Sequence, residues 1–219
     1  MRAFYVSCFH DNDPAEGSLN RALAGWPGVG RVLVQERATD GEDLRTKLMT
    51  GLTPRDRIDA LIVGGHGHAS LSGLWVRDDP VRWHDLAFLL REQVRYTCTF
   101  IFYSCNGGYP GIMHALGRAD GIDFAFGPRV SAYAGALAHA TMSVLTWKEA
   151  GGVDAAGARA LVDQENAWGA ATYPAPANEP HDRFFRVMWG EGPNARHPDE
   201  PNGQVPYGPL IPLRGWGLD

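Results

Sequence analysis

Short apolar runs alternate with amphipathic segments along most of this chain. Runs of four to eight apolar residues that break at glycine are typical of buried strands, and apolar residues at every third or fourth position are typical of helices. The pattern predicts strands over 2–9, 29–36, 58–64, 97–103, 124–133 and 182–189, with a hairpin-like stretch over 70–76. It predicts helices over 17–26, 41–52, 79–94, 111–117, 137–150 and 153–168.

The order of these elements indicates the fold class. Strands that alternate with helices predict an α/β sandwich around a mostly parallel sheet. Ser18 is a candidate cap for the first helix, and Pro80 suits the first turn of the helix over 79–94. We expect one domain over 1–190, followed by an irregular tail over 191–219 that is rich in glycine and proline and packs on it.

Composition and charge exclude several classes of partner. The 219 residues are 44% apolar and 21% charged, with a net charge of −5. That balance lacks the basic footprint of a protein that binds nucleic acid or an anionic membrane, and no apolar run is long enough to span a bilayer. Three cysteines without an export signal indicate a cytoplasmic protein with free thiols. Since no Cys-x-x-Cys pair occurs, we do not expect a zinc site built from thiolates. No other residue pattern leads us to expect a metal or a cofactor.

Two short motifs contain the candidate catalytic residues. The third predicted strand ends in Gly64-Gly65-His66-Gly67, and the fourth ends in Ser104-Cys105-Asn106-Gly107. Taken singly, such a histidine is most often a loop residue and such a cysteine a small core residue. Together they stand one crossover helix apart, and the carboxyl ends of neighbouring parallel strands converge on a crevice. The spacing therefore predicts a thiol nucleophile beside its base.

The predicted chemistry is acyl transfer. An imidazole next to Cys105 raises the thiolate fraction and can then protonate a leaving amine. The backbone N–H groups of Gly67 and Cys105 are the natural donors for an oxyanion in the same crevice.

These motifs resemble those of caspase-like cysteine peptidases, and among them those of the bacterial CHAT domains. The resemblance rests on His66-Gly67-His68, Ser72-Gly73-Leu74-Trp75 and Ser104-Cys105-Asn106-Gly107, with weaker likeness downstream to residue 190. It implies a caspase-like αβα sandwich, a cysteine endopeptidase with His66 as base and Cys105 as nucleophile, and a protein or peptide substrate. The segment Val130-Ser131-Ala132-Tyr133 resembles the strand that lines the substrate cleft. Because no sensor region is attached, any regulation would come from a separate activating protein.

Substrate preference has several candidate determinants. Asp11 and Asp13 follow the first strand, where they are either solvated turn formers or the lining of a pocket for Arg or Lys. Arg129 would instead anchor an acidic side chain. Tyr103, just before the Ser-Cys pair, and the cleft residues Ser131 and Tyr133 complete the predicted substrate-binding set.

Three alternatives stay open from the sequence. A glutamine-amidotransferase-like hydrolase would use a histidine after the cysteine, for which His139 is the main candidate, but Tyr103 occupies the place of the usual elbow glycine. A metal hydrolase would bind through His66 and His68, although Ser70 stands where an aspartate is needed. The third alternative is a binding or assembly module on the same fold, with Trp189 and Trp216 as candidate docking residues.

Overall fold

A mostly parallel sheet forms the centre of the molecule. The computed structural model describes residues 1–52, 57–68, 73–93, 98–107, 122–128, 132–152, 154–173 and 186–189. Within these ranges the central sheet has six strands, labelled in chain order: β1 (Arg2–Ser7), β2 (Val32–Arg37), β3 (Ala60–Gly64), β7 (Cys98–Tyr103), β8 (Ile122–Gly127) and β9 (Arg186–Trp189). They lie side by side in the order β2-β1-β3-β7-β8-β9. The first five strands of this order run parallel, and β9 is antiparallel to β8.

Helices cover both faces of this sheet. Alternate residues of β1 show why, because Phe4 and Val6 point into one apolar core while Ala3 and Tyr5 point into another. The first core is closed by α2 (Gly41–Gly51) and α3 (Trp83–Gln93). The second core is closed by α1 (Pro14–Ala24), α4 (Ala134–Glu149) and α5 (Ala155–Thr172). The αβα sandwich expected from the sequence is therefore confirmed, and none of the described helices is long and apolar enough to cross a membrane.

A second, smaller sheet follows β3 directly. It consists of β4 (His66–His68), β5 (Gly73–Val76) and β6 (Asp79–Arg82), all antiparallel. The predicted start of a helix at Asp79 is thus wrong, since helix α3 begins only at Trp83. Val76 pairs with Asp79 across a two-residue turn, in which Arg77 adopts a positive φ of 54°. Pro80 is tolerated because β6 lies at the edge of this small sheet.

Further boundaries differ from the sequence-based prediction. The predicted strand over 124–133 is wrong beyond Gly127, where β8 ends, and Tyr133 instead stands at the N-terminal cap of α4. Asp13, rather than Ser18, caps α1, because its side chain accepts a hydrogen bond from the Ala15 N–H and Pro14 occupies the first helical turn. Strand β2 begins at Val32 rather than residue 29, after a turn in which Gly30 has a φ of 75°. The predicted helix over 111–117 and the tail over 191–219 lie outside the described residues.

Candidate active site

The two motifs that contain His66 and Cys105 meet at the carboxyl edge of the central sheet. Gly64 of β3 pairs with Tyr103 of β7, so His66 and Cys105 each lie two positions beyond paired residues. The N–H of Gly65 also donates to the Tyr103 carbonyl at 3.2 Å. Gly67 approaches so closely that a Cβ there would collide with the carbonyl oxygen of Cys105. The register of two parallel strands thus brings the histidine and cysteine segments into contact.

Cys105 is the accessible thiol of the three in the chain. It is partly exposed, whereas Cys8 and Cys98 are buried, and burial raises the pKa of both of those thiols far above the ordinary value. The Cys105 Sγ lies 3.8 Å from the carbonyl oxygen of Ala132, just before α4. After it the chain turns sharply through Asn106, which has a φ of 57°.

His66 is held by an aspartate on the connection between β1 and α1. Its side chain is 56% exposed, and its Nε2 lies 2.8 Å from Oδ2 of Asp13. The ring also packs edge-on against Phe9, with centroids 5.1 Å apart. The imidazole is therefore fixed by a carboxylate on one side and by an aromatic edge on another, and its Nδ1 is the nitrogen that Asp13 does not use.

Asp13 serves His66 and the helix α1 at once. Oδ1 accepts from the Ala15 N–H at 2.8 Å while Oδ2 meets the imidazole, and the side chain is only 14% exposed. Partial burial acts to raise the pKa of Asp13, but the hydrogen bonds from His66 and the Ala15 N–H outweigh it and hold that pKa below its usual value. Asp13 was a predicted substrate-binding residue, and its contact with His66 was not foreseen.

An ion pair between the partly exposed Arg37 and the buried Glu16 secures the connection that carries Asp13. Arg37 of β2 donates to both carboxylate oxygens of Glu16 at 2.7 Å, and Glu16 also accepts from the Ser7 hydroxyl at 2.6 Å. The same guanidinium donates to the Phe9 carbonyl oxygen at 3.0 Å. Residues 8–13 are thereby tied to β1, β2 and α1.

The other predicted substrate-binding residues differ in exposure and in the side chains that they contact. Asp11 is 70% exposed and faces two arginines, with Arg37 at 3.4 Å and Arg77 at 3.7 Å. Tyr133 is exposed and stacks on Tyr173. Ser131 and the alternative anchor Arg129 lie outside the described residues, as do Ser70 and Trp216. The substrate-binding roles of these residues stay predictions.

Tyr103 is a special case among them, because it is buried. Its hydroxyl lies 2.7 Å from the Ala15 carbonyl oxygen and 2.9 Å from that of Ala134, at the first turns of α1 and α4. Such a phenol joins two helices to the end of β7. Contact with a substrate stays a prediction, one that this burial disfavours.

The histidine favoured by the amidotransferase alternative has a different partner. His139 of α4 places Nδ1 2.7 Å from Oε2 of Glu165 in α5, and its ring stacks on Trp168 with centroids 3.6 Å apart. For the metal alternative, the described residues contain no group of three or more His, Cys, Asp or Glu side chains placed to hold an ion.

Comparison with known proteins adds information at the level of fold. The sequence matches no protein-family model and no curated protein. Among solved structures, the chain is similar to a secreted C11 cysteine protease from Bacteroides thetaiotaomicron, "iotapain", with a TM-score of 0.56 at 13% sequence identity. The match covers 86% of this chain and 66% of that protein, so this chain spans just under two thirds of the protease's length. The chain therefore has a caspase-like fold that a cysteine protease shares.

Proposed function

We propose that this protein is a cysteine endopeptidase in which Cys105 is the nucleophile and His66 the general base. The observation that carries the proposal is the meeting of these two segments, in register, at the carboxyl edge of β3 and β7. An accessible thiol and an oriented imidazole at one edge of a parallel sheet suit nucleophilic catalysis. The fold shared with a cysteine protease supports the same reaction class.

The proposed reaction has two halves. Nδ1 of His66 takes the Cys105 proton, and the thiolate attacks the peptide carbonyl carbon to form a C–S bond. Backbone N–H groups of Gly67 and Cys105 would stabilise the oxyanion until the C–N bond breaks, and the imidazolium then protonates the departing amine. Water, deprotonated by His66, attacks the thioester in the second half. The C–S bond breaks, the acid is released, and the thiol regains its proton.

We further propose a preference for cleavage after a basic residue. Support comes from the exposed carboxylate of Asp11, on the connection beside His66. Asp11 already faces Arg37 and Arg77, so a basic substrate side chain would compete with these arginines for it. A fluorogenic peptide panel tests the preference, and equal or faster cleavage after Asp or Leu would overturn it.

The CHAT-like motifs suggest a separate activating or sensor protein. The support is the motif resemblance alone, and we propose that a separate protein supplies the activating signal. Co-purification from a native source with turnover measured before and after removal of any partner tests this. The cytoplasmic location stays a prediction, and the compared protease is itself secreted.

Single substitutions test the reaction itself. We expect Cys105→Ala and His66→Ala to abolish peptide turnover while the circular dichroism spectrum stays unchanged. His139→Ala is the matched control, because His139 also has a carboxylate partner and is the base in the amidotransferase alternative. Activity that survives His66→Ala but not His139→Ala would replace the proposal with that alternative.

A further inference from the structure

We infer that Asp13 is a positioning residue of the active site, which fixes the tautomer and direction of the His66 imidazole and does not itself contact the substrate. The inference rests on the proposed function and goes beyond it, since a cysteine–histidine pair alone leaves the ring free to turn. It also gives Asp13 a role other than the substrate pocket suggested by its charge.

The geometry of the contact defines the tautomer. An ionised carboxylate only accepts hydrogen bonds, so Oδ2 of Asp13 at 2.8 Å requires a proton on Nε2 of His66. In the neutral imidazole, Nδ1 then carries the lone pair that can take a proton from a thiol. Asp13 thus selects the tautomer in which Nδ1 is the basic nitrogen, the one that the proposed reaction uses toward Cys105.

Asp13 is itself rigid enough to act in this way. Oδ1 is bound to the Ala15 N–H at the start of α1, and the Gly17 N–H donates to the Asp13 carbonyl at 2.9 Å. Arg37 binds the chain on both sides of Asp13, at the Phe9 carbonyl oxygen and at the buried Glu16 carboxylate. A carboxylate held at both its backbone and its second oxygen can orient a half-exposed ring, which would otherwise sample several rotamers.

Substitution by asparagine isolates this role. Asn is as good a helix cap as Asp, so the amide oxygen can keep the Ala15 N–H bond. The amide NH₂ would then face Nε2 and donate to it, which favours a proton on Nδ1 and makes His66 a donor toward the thiol. We expect Asp13→Asn to lower kcat at least about 100-fold, within the range that general acid–base catalysis supplies, with KM nearly unchanged.

The matched control is Asp154→Asn. Asp154 caps α5 through the Gly157 N–H at 2.7 Å, so the substitution makes the same chemical change at a helix start without a histidine partner. We expect wild-type kcat from this variant. Imidazole ¹⁵N shifts supply a readout that a purely structural role would not move, and His66→Ala assigns the resonance. Wild type should show the Nε2–H form of His66, and Asp13→Asn should show the Nδ1–H form.

Kinetics on peptides with Arg, Leu or Asp before the scissile bond separate the possible results. A kcat loss of similar size on every peptide, together with the tautomer change, is the expected result. A rise in KM confined to the Arg peptide would overturn the inference in favour of a substrate pocket, and an unchanged kcat and tautomer would overturn it outright. If wild type itself cleaves no peptide, the proposed function fails, while the ¹⁵N measurement still decides whether Asp13 sets the tautomer.

Discussion

A side chain at Gly67 is incompatible with the position of Cys105. The Cβ of any other residue at Gly67 would overlap the Cys105 carbonyl oxygen and lie 2.5 Å from Oγ of Ser104. The backbone carrying the histidine therefore packs directly on the backbone carrying the cysteine. We regard this close approach as the structural basis of the site, because it fixes the separation of the two segments.

Gly67→Ala tests that basis. To relieve the overlap the two segments must separate, so we expect a destabilisation of about 2 kcal/mol, as for an overpacked core. A displacement of about 1 Å is expected to lower kcat/KM about 100-fold. Urea unfolding and peptide kinetics measure the two effects. Gly25→Ala is the control, because nothing lies within 4 Å of its Cβ position and its φ of −89° suits alanine. A Gly67→Ala enzyme as active as this control would contradict the close approach.

The three thiols should differ sharply in reactivity. Burial raises the pKa of Cys8 and Cys98 and shields them, whereas Cys105 is partly exposed. We expect iodoacetamide at pH 7 to modify the native protein once, at Cys105, and to modify all three cysteines in urea. Peptide mapping by mass spectrometry identifies the sites. Native labelling of Cys8 or Cys98 at a comparable rate would contradict the described core.

The ion pair beneath the Asp13 connection should matter for stability. Removing Arg37 leaves the buried Glu16 carboxylate without its cation, so we expect Arg37→Met to lower the free energy of unfolding by about 2 kcal/mol. Arg45→Met, which breaks an exposed pair with Glu42 on α2, should cost less than about 0.5 kcal/mol. Equal urea midpoints for the two variants would show that the Arg37–Glu16 pair adds no stability beyond that of an exposed pair.

Asp13 should also make stability depend on pH. Its pKa is lower in the folded protein than the value of about 3.9 expected in an unfolded chain, so ionised Asp13 stabilises the fold above that value. The contribution is lost as the pH falls through the lower, folded pKa. We expect wild type to exceed Asp13→Asn in stability at pH 5, and the gap to shrink toward the lowest pH at which both still fold. A gap that stays constant or widens on acidification would contradict the shift.

The meeting of His66 and Cys105 could be foreseen because it follows from strand order. Apolar runs that end at glycine mark the carboxyl ends of β3 and β7, and one crossover helix between them makes the strands neighbours. The layers of the sandwich follow from the same alternation. The local pattern of apolar residues was therefore enough to predict the fold class and the pairing of the two segments.

Contacts between distant segments could not be foreseen in the same way. Asp13 and His66 are 53 residues apart in the sequence. An Asp-Pro pair before a helix indicates only where the helix starts. The signal that was present is positional, since β1 lies next to β3 and the residues after both strands share one edge. At Asp79-Pro80 the same dipeptide sits in a strand, because pairing with β5 overrides the local preference.

A covalent trap tests the central claim most directly. A peptidyl acyloxymethyl ketone with arginine at its reactive end would be incubated with the native chain, and the modified residue would be located by tandem mass spectrometry. We expect one adduct, on Cys105, that is absent from Cys105→Ala, at least about 100-fold slower in His66→Ala, and unchanged in His139→Ala. An adduct on another residue, or an adduct on Cys105 that forms equally fast in His66→Ala, would contradict the assignment of these two residues as nucleophile and base.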